Sequence, residues 1–92
     1  MIIRVMGEGQ YRVDSALFDT LNGIDNRIVE NVQNGEQEEF SSGLAELIGC
    51  IQSNGQRVAD TELVESDIIV PPPDLTLAEA RDVFKGTGLF EG

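Results

Sequence analysis

Residues 2–6 read IIRVM, an apolar-rich run with strand composition. Residues 10–13, QYRV, alternate polar and apolar, as a half-buried strand does. Gly7, Glu8 and Gly9 join them as a glycine-bearing connection of hairpin length. The period then changes to that of a helix, with Asp14 or Ser15 as its cap. Apolar residues fall at Leu17, Leu21, Ile24, Ile28 and Val32, one stripe of an α-helix. Asn22 and Gly23 sit inside this pattern as a turn signal, yet the stripe passes through unshifted. One helix is expected, with a weak point worth about 1 kcal/mol relative to alanine.

Asn34 and Gly35 end that helix, Gly35 suiting a left-handed cap. Phe40, Leu44, Leu47 and Ile51 make a second stripe, and Asn54-Gly55 is expected to close it in the same way. Two amphipathic helices joined by so short a turn predict an antiparallel αα-hairpin. Gly43 and Cys50 flank the second stripe, where small residues would let another element come close.

Residues 56–59, QRVA, suggest a short strand, and residues 60–66, DTELVES, fit either a helical turn or an extended edge. Ile68, Ile69 and Val70 are β-branched throughout and predict a strand. Pro71, Pro72 and Pro73 stop it, since proline cannot donate to a ladder, and they read as a rigid link rather than a ligand for a proline-binding domain. Thr76 and Glu79 have capping-box spacing ahead of a short helix reaching Phe84 or Lys85 and ending near Gly86. Arg81 and Lys85 lie toward its C-terminus, where the helix dipole favours positive charge. Leu89 and Phe90 in the tail either fold back onto the core or contact a partner, and a domain this small favours folding back. The order β-β-α-α-(β)-β-α predicts one α+β domain with the helical hairpin on a small sheet.

Charge narrows the function. The 92 residues hold 17 acids against six bases, a net charge of −11. That balance opposes direct contact with nucleic acid or an anionic lipid surface. No apolar run approaches the roughly 20 residues of a membrane span, so direct membrane insertion is not expected. The chain has no histidine and one cysteine, Cys50, which reads as a small core or boundary residue. An intrachain disulfide and a Cys/His zinc site are excluded, and no cofactor is implied. The densest acids, Glu36, Glu38 and Glu39, read as the solvated first turn of a helix, without the spacing of an EF-hand.

The glycines of residues 7–11, GEGQY, invite a phosphate-binding reading that the residues refuse. A P-loop needs a lysine beside its last glycine, and no lysine occurs before Lys85. A dinucleotide fingerprint needs a third glycine where Arg12 stands, and a helix where a strand follows. With no histidine there is no Ser-His or Cys-His pair. An enzyme built on paired carboxylates would require acids converging in a cleft, which composition alone does not show.

The start of the chain, with Met6, Gly7, Glu8, Gly9, Gln10 and Tyr11 at its centre, resembles the PspA-associated domain family. So do Ser66, Asp67, Ile68, Ile69, Val70, Pro71 and Pro72, followed by Asp74 and the Thr76-Leu77-Ala78-Glu79 box. The ending Gly88, Leu89, Phe90, Glu91 and Gly92 is similar to that family's close, with Glu91 where a proline is common and Pro73 as an extra proline. The resemblance spans the whole chain in one order.

That resemblance implies a small cytoplasmic, non-catalytic partner or regulator of PspA, the coiled-coil protein of the membrane surface in phage-shock-type envelope stress systems. Recruitment to the inner membrane face would then run through the partner. It implies no catalytic, cofactor-binding or metal-binding residue, and it points to the hairpin turn and the Pro-Pro segment as the places to look for function. With the apolar tail added, the partner-binding candidates are Gly7, Glu8, Gly9, Gln10, Tyr11, Pro71, Pro72, Pro73, Leu89 and Phe90. Two other readings stay open. One is a self-associating regulatory domain for a small ligand, a homodimer formed through edge strands and the apolar tail. The other is the carboxylate enzyme.

Overall fold

A computed structural model describes residues 1–84 and 88–90. The elements run β1 (Ile2–Val5), β2 (Gly9–Arg12), α1 (Phe18–Gln33), α2 (Gln37–Asn54), β3 (Gln56–Arg57), β4 (Ile68–Val70) and α3 (Leu77–Val83). The fold is α+β. The strands form one mixed sheet in the order β3-β2-β1-β4. Within it β1 pairs antiparallel with β2, with Ile3 opposite Tyr11, and parallel with β4, with Val5 beside Val70.

Alternation places Ile3, Val5, Tyr11 and Val70 under the helices, while Arg4, Arg12 and Ile69 are exposed. The three-residue turn between β1 and β2 is closed by Glu8 N–H to the Val5 carbonyl at 2.9 Å, with Gly7 at φ +85°. Met6 belongs to this turn rather than to the strand, although its N–H still reaches the Val70 carbonyl at 3.0 Å. Val13 lies just past β2, its N–H bonded to the Met1 carbonyl at 2.8 Å.

The expected hairpin of helices is present. Asp14 caps a short 3-10 turn, Ser15–Leu17, by accepting from Ala16 N–H at 2.9 Å, and α1 continues from it without a break at Gly23. Leu21, Ile24, Ile28 and Val32 are buried, as are Phe40, Leu44, Leu47 and Ile51 of α2. The turn between the helices is a Schellman motif: Glu36 N–H bonds the Asn31 carbonyl and Gly35 N–H that of Val32, with Gly35 at φ +71°. The Asn31 side chain also donates to Glu36 at 3.1 Å. Gly43 is where α1 comes close, since a Cβ there would stand 3.0 Å from Ile28 Cγ1.

Two expectations change in detail. Gly55 does not close α2 in the left-handed conformation; its φ is −96°. Glycine is needed there for space instead, because a Cβ would lie 2.7 Å from the Ile51 carbonyl and 3.1 Å from Val13 Cγ2. Residues 60–66 form neither helix nor ladder but a turn followed by irregular chain. The capping box at Thr76 is formed in full, and α3 ends at Val83 with Phe84 as its C-cap. The expected roles of Lys85 and Gly86, and those of Glu91 and Gly92, lie outside the described residues.

Candidate interaction surfaces

The two stretches that carry the family resemblance near the start and in the second half meet in space. Gln10 donates to Ser66 Oγ at 2.8 Å and to the Val64 carbonyl at 3.0 Å. Asp67 accepts from Ile2 N–H at 2.8 Å and gives its own N–H to the Ile2 carbonyl. These residues hold the irregular segment against β1 and β2, so much of the signature serves the sheet itself.

The candidate partner residues divide between two ends of that sheet. Because β1 and β4 are parallel, the turn after β1 and the prolines after β4 leave at the same end. There Gly7, Glu8 and Pro73 are exposed, Gly9, Gln10 and Pro72 are half-buried, and Tyr11 and Pro71 are buried. Tyr11 packs in the core, with its hydroxyl accepting from Gln52 at 3.1 Å. Leu89 lies at the opposite end, beside Met1, Phe18, Asp67 and Ile68. Phe90 is buried, as expected of a tail folded back on the core.

Met6, Leu63 and Ile69 are exposed large apolar residues that are not among the partner-binding candidates, at 50, 98 and 55% exposure. Exposed apolar residues are ordinary on a soluble surface and carry little by themselves.

Charge divides the molecule more sharply. The hairpin, residues 18–54, carries seven acids and one base, Arg27. The four strands carry Arg4, Arg12 and Arg57 and no acid. Arg12 pairs with Glu62 at 2.9 Å and Arg57 approaches Asp60 at 3.8 Å, so the irregular segment offsets the strands' charge. Arg81 of α3 comes near the hairpin's turn at Gly35, and among the described residues the ion pair found on the hairpin is its own Arg27–Glu46. Its two helices bound a shallow groove of about 570 Å³, with Glu30, Glu36, Glu38, Glu39 and Glu46 along it and an Arg27–Glu46 ion pair across it.

Two carboxylates are perturbed in opposite directions. Glu79 is held below its usual range by hydrogen bonds from the Thr76 backbone N–H and hydroxyl. Burial pushes Asp25 up, against the lowering effect of hydrogen bonds from the Phe90 and Leu89 N–H groups. Asp25 is fully buried and does not line the acidic groove. The sequence reading missed it. The available signal was an acid between Ile24 and Ile28, four residues from both Leu21 and Val29, on the helix's apolar side. Among the described residues no group of three or more carboxylate or cysteine side chains is placed to hold a metal ion, and no helix is long and apolar enough to cross a membrane.

The family model of PspA-associated proteins matches residues 1–92. No curated protein and no solved structure matches the chain.

Proposed function

The chain belongs to the PspA-associated protein family, and we propose that it is a non-catalytic interaction module, a partner or regulator of the PspA-like coiled-coil protein in the envelope stress response. In this reading it is cytoplasmic and reaches the inner membrane face only through that partner. The supporting observation is the acidic outer surface of the helical hairpin. Six acids at its surface, Asp19, Glu30, Glu36, Glu38, Glu39 and Glu46, stand against one base, Arg27, and complement a basic helical face. The same charge repels anionic lipid, which suits recruitment through a protein. The turn of Gly7 and Glu8 together with Pro73 forms a second exposed contact at one end of the sheet.

The test is co-purification of this chain with the PspA-like protein of the same source at low and high salt. A complex that weakens as salt rises supports the reading, because exposed charges are screened beyond about 10 Å at 0.1 M ionic strength. Failure to form a complex at either salt removes it.

A further inference from the structure

Asp25 is the one charged side chain that is fully buried among the described residues, and its hydrogen-bond partners come from the C-terminal tail. Its Oδ1 accepts from Leu89 N–H at 3.1 Å, and its Oδ2 accepts from Phe90 N–H at 2.8 Å. No cation lies within ion-pair distance of it among the described residues. A carboxylate that takes two consecutive backbone N–H groups recognises main chain, whatever side chains that chain bears.

The side chains add selectivity on either side. Gly88 has φ +82°, and a Cβ there would stand 2.5 Å from Asp25 Oδ2 and 2.8 Å from Val29 Cγ2, so glycine is required. The Phe90 ring is buried and meets Phe18 edge-to-face, with ring centres 6.0 Å apart. Leu89, between them, is only half-buried beside an open hollow, so that position tolerates other apolar residues.

We propose that Asp25, Val29 and Phe18 form a peptide-recognition site for a glycine–aliphatic–phenylalanine segment, filled here by residues 88–90 of the same chain. The site is reversible for a physical reason. Docking strips water from the Asp25 carboxylate, and that desolvation offsets part of what the two hydrogen bonds and the phenylalanine contribute. When the tail leaves, the carboxylate rehydrates instead of remaining a buried group without partners. The occupant is the chain's own tail.

The test uses the full chain bearing Phe90→Ala, which vacates the aromatic pocket, and the probe acetyl-Gly-Leu-Phe-amide. On titration to millimolar probe, the amide resonances of Asp25 and Val29 should shift in the variant. Wild type should need about tenfold more probe or beyond, because its competent fraction is reduced by its own docked tail. Adding Asp25→Asn should abolish the response. Gly88→Ala, which expels the tail by a clash while keeping every aromatic, should open the site in the same way. A folded Phe90→Ala chain that shows no shift overturns the proposal, as does an equal response in wild type. Loss of the folded state in both Phe90→Ala and Gly88→Ala also overturns it, since the tail would then be core and not ligand. A wild-type dimer whose formation is blocked by Gly88→Ala would overturn the assignment of the site to the chain's own tail.

Discussion

The helical hairpin and the sheet are assembled on different terms. The hairpin is local: two stripes, one Schellman turn and the seam between α1 and α2 all lie within residues 18–54. The sheet is non-local: residues 2–12 meet residues 56–57 on one side and 68–70 on the other. The charge follows the same division, with acids on the hairpin and arginines on the strands. The hairpin therefore presents a fixed charged surface, while the sheet depends on side chains such as Gln10 and Asp67 to fix its neighbours.

The largest expected effect breaks the hairpin from inside. Phe40 is fully buried and packs edge-to-face on Phe84, linking α2 to the residue that caps α3. Phe40→Ala should lower unfolding free energy by about 3–5 kcal/mol, read by urea denaturation. A smaller effect belongs to the seam between hairpin and sheet. Gly55→Ala drives a Cβ against the Ile51 carbonyl and Val13, and should cost about 1–3 kcal/mol. No loss there would mean that the seam is looser than its geometry.

The sheet's dependence on distant side chains is sharpened by Asp67→Ala. It removes the acceptor of Ile2 N–H and should cost about 1 kcal/mol. Its effect should concentrate in hydrogen exchange of β1 and β4, leaving α2 protected. In the hairpin, Gly23 faces open space, so Gly23→Ala should stabilise by about 0.5–1 kcal/mol and confirm an unbroken α1.

The smallest effects are in pH. Asp25, on the hairpin, has a folded pKa raised above 3.8, so the folded state binds its proton more tightly than the unfolded state does. The associated stability is fully present below pH 3.8 and is lost as pH rises through the folded value. Wild type should therefore gain on Asp25→Asn as pH falls. Glu79, in α3, is lowered from 4.5, so its contribution is present above that value and is lost as pH falls through the folded one. Wild type should lose its advantage over Glu79→Gln on acidification. Denaturation curves across that range read both signs, and a shared sign would contradict the environments described for the two groups.

The same contrast explains what the sequence made legible. The stripes, Gly35 and the Thr76 box rest on spacing within a few residues, and each is found in place. Gly55 was legible as the end of α2 but not in its reason, because the contact that demands glycine includes Val13, more than forty residues away in sequence. The segment 60–66 has no period, and its position is set by Gln10 and by the Arg12–Glu62 pair, which no local pattern encodes. Among the candidate contact residues, the exposure of Gly7 and Glu8 follows from turn chemistry. The burial of Tyr11, Pro71 and Phe90 depends on what packs over them.

Binding of the PspA-like protein, titrated at low and high salt with wild type and with the double variant Glu38→Lys, Glu39→Lys, tests the hairpin's acidic surface most directly. Both acids lie in the exposed first turn of α2, so the variant should remain folded, which its circular dichroism checks. If the surface steers binding, wild-type affinity falls with salt, and the variant binds about tenfold or more weakly at low salt, with the difference shrinking at high salt. Equal affinity of the two folded proteins at low salt would contradict it.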